Sequence, residues 1–381
     1  PKYPQFVAPY VVAGATAAAP LSTVLTGSLS TALVSMYFLA TRGVTVDLGA
    51  GTINGANNLG SSWSTYTSTA VPIDFVGAGS ASTIIDAQGA AVGATFNGAN
   101  TSKQRLIGVT LKNATNRGWL VNNAAADVEL YDVVSQDCTT TTGGGGGRGQ
   151  AYASLVLGPG TAAVNCSTIG ATNGGGYLIS ASGTAPVTIE GVRCVGNSAG
   201  GNGGAVYNQS AYCTIKSLEM ANNTAAAGTA GLFSTWSVAG VTQTIKNVSG
   251  RGNVGSGTNH DVGLICGTAT GKIVFTDSVL GSGNVCMSKT GAGDLDYGRL
   301  NLGLTGTVSV AGGTNTLVAA NQSSDPLFVD DTTSVVLKST SPCKGVASPS
   351  WTVGTNRPAL AFDGSWFQVN GASLTTMGAR P

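Results

Sequence analysis

Residues 187–221, VTIEGVRCVGNSAGGNGGAVYNQSAYCTIKSLEMA, hold one short phrase twice. The phrase is two apolar residues three apart, a few mixed positions, then Asn or another small polar residue. It reads Ile189-x-x-Val192, then Ile215-x-x-Leu218. Further out it recurs as Leu106-x-x-Val109, Leu130-x-x-Val133 and Ile245-x-x-Val248, with blurred copies near Val164 and Phe275. A second phrase trails several copies: Gly118-Trp-Leu-Val-Asn122, Gly204-Ala-Val-Tyr-Asn208, Ala230-Gly-Leu-Phe233 and Val262-Gly-Leu-Ile265. Successive copies lie roughly 24 to 34 residues apart, the period of one solenoid coil. Helical repeats need long runs of helix formers, whereas these segments are β-branched residues, Gly, Asn, Ser and Thr. Each coil is therefore two or three short strands joined by turns and stacked on the next, a parallel β-helix.

Composition points the same way. Gly supplies 57 of 381 residues, and Gly and Asn suit the positive-φ corners of tight turns. Small side chains fit a narrow core in which equivalent positions repeat about every 4.8 Å. Only 9% of residues are charged, so the chain folds by apolar burial rather than staying solvated by charge. A net charge of +1 gives no electrostatic case for nucleic acid or an acidic membrane surface. A continuous repeat also overrides the several-domain prior that length alone suggests.

The ends carry a family likeness. Residues 6–10, FVAPY, followed by 14–55, GATAAAPLSTVLTGSLSTALVSMYFLATRGVTVDLGAGTING, resemble the opening of right-handed parallel β-helix proteins of bacteria and bacteriophages. That opening is a short strand, a small-residue loop ending in Pro, an amphipathic capping helix and a first coil. Residues 71–89, VPIDFVGAGSASTIIDAQG, resemble the second coil of this pectate-lyase-like superfamily. Residues 323–346, SSDPLFVDDTTSVVLKSTSPCKGV, and 360–380, LAFDGSWFQVNGASLTTMGAR, resemble its closing phrases, and 197–208, NSAGGNGGAVYN, a bacterial surface β-helix unit. The resemblance implies an all-β chain: a single right-handed parallel β-helix with an N-terminal capping helix and an irregular C-terminal cap. Its divisions fall at 1–43 for the strand, loop and cap, 44–320 for the solenoid and 321–381 for the closing segment. It implies architecture more than activity, because lyases, hydrolases, adhesins and virion spikes share this fold.

Physical reading supports the caps. Leu21, Leu25, Leu29, Leu33 and Tyr37 fall at helical spacing, with Ser and Thr on the other face. A membrane span is the alternative for this uncharged stretch. Its Ser and Thr residues and Gly27 disfavour that, and an open solenoid end needs such a cover. Trp351, Trp366 and Phe367 are candidates to cover the other end. The chain opens Pro1-Lys2 with no basic and apolar leader ahead of it, so the expectation is synthesis without export. The seven Cys are an odd number, match no zinc or redox spacing and share no column in the alignable copies. Free buried thiols are expected.

Charged residues fall into cross-coil pairs when the copies are aligned. Arg105 is followed by Glu129 in the position before the first anchor. Glu190 is followed by Lys216 and Lys246 in the position after it, and Arg193 by Glu219 three places on. All three Glu residues thus meet an opposite charge on a neighbouring coil. A glycosidase would instead need two carboxylates roughly 5–10 Å apart beside a groove, and Asp132 with Asp137, or Glu129 with Asp132, are the clusters to test. Polygalacturonase-like members carry Asp pairs and a Gly-His-Gly turn in mid-solenoid, whereas here the single His260 lies in TNHDVG and Asp330-Asp331 in the end segment. His260 beside Asp261 reads as an acid–base couple or as a solvated turn. A lyase's calcium carboxylates are missing from the coils. Gly143–Gly149 lacks a phosphate loop's Lys-Ser/Thr ending and reads as a flexible insertion. No metal, cofactor or catalytic residue is assigned.

What remains is surface. Long intervals at Asn54–Val71, Thr139–Gly149, Ser234–Thr242 and Gly255–Asp261 are candidate projecting loops. Trp63 and Tyr66 in the first, and Trp236 in the third, suit contact with a glycan or a protein partner. The sequence reading is a non-enzymatic bacteriophage virion protein: a tail spike, head fibre or capsid decoration. Its partners would be other virion proteins or copies of itself, as a homotrimer or array, and a host-surface glycan. A bacterial cell-surface adhesin is second and a polysaccharide-depolymerase tailspike third.

Overall fold

A computed structural model describes residues 9–11, 44–54, 73–89, 92–96, 103–180, 182–256, 261–281, 285–323, 359–360 and 366–367. Among them the chain is all-β, a parallel solenoid of about eight coils, and no helix occurs. The helix expected around Leu21–Ala40 lies outside the described residues. So does most of the closing segment, where only 321–323, Ala359–Leu360 and Trp366–Phe367 are described, the last two as an antiparallel pair. The solenoid strands run from Val44–Gly49 to Asn315–Ala319, and Pro9–Val11 adds a parallel strand beside Val44–Gly49.

The apolar phrase is a strand with a bend in it. In a straight strand, residues three apart face opposite sides. Here Ile189 and Val192, Ile215 and Leu218, and Ile245 and Val248 all point inward and are fully buried. The intervening residue makes this possible. Gly191, Ser217 and Asn247 have φ of 66°, 54° and 53°, which turns the chain and resets the alternation. Gly108, Asp132 and Asp277 do the same in their coils. Left-handed backbone costs an ordinary L-residue about 1–2 kcal/mol and is visited most readily by Gly, Asn and Asp, so the third phrase position is drawn mainly from those types. The bend divides strands such as Val187–Val195, Cys213–Ala221 and Thr242–Arg251 into a first and a second face.

Register follows from the anchors. Phe75, Leu106, Leu130, Leu157, Ile189, Ile215, Ile245, Phe275 and Tyr297 form one continuous column. The Ile189–Ile215–Ile245 stack is as the phrase predicts. The blurred copy expected near Val164 instead sits at Leu157. There Gly158–Gly160 replaces the single bending residue with a wider turn and interrupts the phrase.

A second left-handed column ends the second face: Asn113, Asp137, Asn165, Gly196, Asn222 and Gly252, with φ between 52° and 65°. The next position in each coil points inward, and there Asn197, Asn223 and Asn253 form a buried ladder. Asn197 Nδ2 donates to Asn223 Oδ1 at 2.9 Å, and Asn223 Nδ2 to Asn253 Oδ1 at 2.8 Å. Each amide also donates to a backbone carbonyl of an adjacent coil, at Ala163, Cys194 and Met220 respectively. Buried polar groups are tolerated only when bonded, and the 4.8 Å coil repeat supplies every rung with a partner. The same column begins with Ala114, Cys138 and Cys166, the two cysteines lying just before the paired strands Thr139–Thr140 and Ser167–Thr168. Two cysteines therefore do share a column, contrary to the sequence alignment, because the correspondence runs through a corner that the apolar phrase does not mark. The six described cysteines are all buried.

The third face is a nine-stranded sheet. Gly143–Gly149 is no insertion: it forms the corner and the start of strand Gly147–Ala151 in that sheet. A Cβ on Gly145 would lie 2.6 Å from backbone oxygens of Ser167 and Gly175, and one on Gly147 only 2.0 Å from the Trp119 ring. Trp119, Gly147 and Tyr177 are consecutive in one inward column. The missing side chain lets the two rings meet across it, centroids 5.6 Å apart, a contact worth about 0.5–1.5 kcal/mol beyond area burial.

Candidate functional site

Outward positions of the first face carry the charges singled out in the sequence. One column runs Asp74, Arg105, Glu129, Val156, Thr188, Thr214, Thr244, Val274, Asp296. Its first three members and Lys103 make a four-charge cluster. Glu129, nearly buried, receives Lys103 Nζ at 2.5 Å and Arg105 Nε at 3.1 Å, while Arg105 Nη1 reaches Asp74 Oδ2 at 3.2 Å. Tyr131 adds a hydroxyl donated to Glu129 Oε2 at 3.2 Å. Burial pushes the Asp74 carboxyl above its ordinary 3.8, against the pull of Arg105. Lys103 and Asp74 escaped the sequence alignment because neither belongs to a repeated phrase. Their positions follow once Arg105 and Glu129 are placed in register.

The other paired charges sit as aligned, with unequal closeness. Arg193 and Glu219 are register partners on the second face, 3.9 Å apart. Glu190 and Lys216 are register partners too, but among the described residues they do not close to salt-bridge distance. Further pairs, Lys272–Asp296 at 2.6 Å and Asp277–Arg299, gather toward the other end of the solenoid. The outward column of Val156, Thr188, Thr214, Thr244 and Val274 is an uncharged β-branched stripe beside the charged column of Glu190, Lys216 and Lys246.

The carboxylate clusters considered for hydrolysis are committed elsewhere. Asp132 stands at the bend, where its two oxygens accept from the Ser80 hydroxyl at 2.6 Å and the Ser80 N–H at 2.9 Å. Asp137 occupies the following corner. Glu129 is enclosed by its two cations. Among the described residues no three His, Cys, Asp or Glu side chains gather into a metal-holding group, and no helix is long and apolar enough to cross a membrane.

Trp63, Tyr66 and His260 lie outside the described residues. Trp236 is described, and not as a projecting aromatic. Strand Leu232–Trp236 extends into the expected loop, and Trp236, 5% exposed, joins the core beside Cys266. A five-residue strand alternates its side chains, so Leu232, Ser234 and Trp236 share the inner side. The aromatic pair nearer the surface was missed: Tyr207 and Phe233 stack with centroids 5.5 Å apart and an interplanar angle of 19°. They are register partners one coil apart in the second phrase, a signal present in the sequence.

Compared with protein-family models, curated proteins and solved structures, the chain matches none.

Proposed function

We propose that this chain is a non-enzymatic structural protein of a bacteriophage particle, a tail spike, head fibre or capsid decoration. In this reading it is a right-handed β-helix with an N-terminal capping helix, made in the host cytoplasm and located in the virion. The observation that carries the non-catalytic part is the engagement of its carboxylates. Glu129, Glu219 and Asp277 hold cations across coils, and Asp132 ties down Ser80. An acid–base pair for glycoside cleavage needs carboxylates that face a substrate rather than a neighbouring coil. The phage assignment draws on the likeness of both chain ends to virion and surface β-helices. The uncharged Val and Thr stripe of the first face suits packing against a second copy or another particle protein, and a homotrimer is the expected assembly.

A cell-surface adhesin with the same fold is the second reading, and a depolymerase tailspike the third. One assay separates binding from cleavage. The protein is incubated with surface polysaccharide of the producing host, and both retained protein and newly formed saccharide ends are measured. Retention or indifference without new ends is expected. Time-dependent release of ends, abolished by Glu129→Gln in a folded variant, would overturn the non-enzymatic reading.

A further inference from the structure

The turn joining the ladder strip to the third face holds two arginines with no acidic partner among the described residues. Arg117 begins strand Arg117–Asn122 and is 4% exposed. Its Nε donates to the Asn116 carbonyl at 2.9 Å, and its Nη2 donates to Asn116 Oδ1 at 3.2 Å and to the Thr142 hydroxyl. Arg148, on the next coil, donates from Nη1 to the Thr142 carbonyl at 3.3 Å. Its Nε is fully enclosed and bonded to nothing. Thr140 braces the group, its hydroxyl bonding Asn116 Oδ1 at 3.0 Å and lying 3.2 Å from that of Thr142. Both guanidinium groups therefore converge on Thr142, which is itself exposed.

This arrangement differs from every other charged cluster described above. The remaining close pairs match a cation with a carboxylate, whereas among the described residues neither Arg117 nor Arg148 takes part in an ion pair. Burial and the neighbouring Arg148 bring the Arg117 guanidinium down to about 10, and burial lowers Arg148 too. Enclosing like charges without a counterion is unfavourable, and an arginine fork is shaped for the paired oxygens of a carboxylate, sulfate or phosphate. Arg117 Nη1 and Arg148 Nη2 are the terminal donors left over from the internal bonds.

We propose that Arg117 and Arg148, held by Asn116, Thr140 and Thr142, form an oxyanion-binding site open to solvent beside Thr142. It takes one carboxylate, sulfate or phosphate group, supplied as a free inorganic anion or as the acidic group of a saccharide. The site is independent of the particle assignment. Arg148 stands in the register column that runs Leu120, Arg148, Leu178, Tyr207, Phe233, so a ligand larger than a free ion would meet a register-ordered row of side chains.

The test is calorimetric titration of the full chain with inorganic phosphate, sulfate and a glucuronate oligosaccharide, at ionic strength held constant with chloride. Saturable binding of at least one probe is expected, weakened about tenfold or more in Arg148→Gln, the loss of one charge-assisted pair. Saturation by the oligosaccharide alone assigns the site to an acidic saccharide, and saturation by phosphate or sulfate assigns it to a free anion. Arg148→Lys, which keeps the charge and loses the fork, should fall between wild type and Gln while retaining the wild-type β-sheet spectrum. No saturable binding of any probe by wild type, or equal binding by folded Arg148→Gln, would overturn the site.

Discussion

Asn223→Ala should be among the more damaging single substitutions in the ladder. The side chain is fully buried and makes four hydrogen bonds. Nδ2 donates to Asn253 Oδ1 at 2.8 Å and to the Cys194 carbonyl at 3.0 Å, and Oδ1 accepts from the Asn197 N–H at 3.0 Å and from Asn197 Nδ2 at 2.9 Å. Truncation does not strand all four partners. Asn253 Oδ1 still receives the Asn223 N–H at 3.1 Å, and Asn197 Nδ2 still reaches the Ala163 carbonyl at 3.0 Å. The Asn197 N–H loses the bond it makes to Asn223, whereas the Cys194 carbonyl, which lies in the ladder between Val187–Val195 and Cys213–Ala221, gives up only its side-chain donor. Leaving the Asn197 N–H buried and unbonded costs about 1–3 kcal/mol, and with the three other lost bonds the total is about 3–5 kcal/mol. At roughly 2–4 °C per kcal/mol for a cooperative unit of 150–250 residues, the thermal midpoint should fall by about 6–20 °C. Circular dichroism of the β-sheet signal during heating reads this directly. Thr224→Ala, one residue on and exposed, is the control and should shift the midpoint by no more than about 1–2 °C, as expected for an ordinary surface change. If Asn223→Ala fell no further than that control, the ladder would be decoration rather than support.

The charged face separates into strong and weak positions. Glu129→Gln should cost about 1–2 kcal/mol, since a nearly buried carboxylate with two cations is lost while Lys103 and Arg105 can rehydrate; Glu190→Gln should cost about 0–0.5 kcal/mol, and chemical denaturation measures both. Burial raises Asp74 above 3.8, so the folded chain keeps a proton that the unfolded chain has already released. Its contribution therefore favours folding as pH falls through that window and is lost as pH rises, and Asp74→Asn should flatten stability there, as a pH series of denaturation midpoints would show. Ser217 holds φ of 54°, a region that Gly, Asn and Asp visit more readily than Ser. Ser217→Val should destabilise by about 1–2 kcal/mol and Ser217→Gly by less than about 0.5 kcal/mol; equal effects of the two in thermal melts would refute the bend.

Much of the coil was readable because its two constraints are local. The Φ-x-x-Φ phrase marks both anchors, and a Gly, Asn or Asp between them marks the bend, so Ile189, Ile215 and Ile245 and the pairs Arg105–Glu129 and Arg193–Glu219 could be set in register from the sequence. The Asn ladder was half visible as the polar end of the phrase. Its continuation into Cys138 and Cys166 was not, because a thiol and an amide share a corner without sharing chemistry. Glycine misled in one place. Gly143–Gly149 has the composition of a flexible loop, yet its residues are small because backbone oxygens and the Trp119 ring occupy the space a Cβ would need. Trp236 misled in the other direction: an aromatic after a strand-like phrase was assigned to a loop when the strand continued to include it. The arginine site escaped because Arg117 and Arg148 are ordinary residues in sequence, joined only by the coil repeat through Thr142.

The measurement that bears most directly on the proposed role is quantitative mass spectrometry of density-purified particles from a lysed culture of the producing cells, alongside the cell-envelope and soluble fractions. The particle reading predicts that the chain bands with the particles at a fixed copy number relative to their major shell or tail protein. Recovery in the cell-envelope fraction, with none on particles, would contradict it and leave the surface adhesin as the better account.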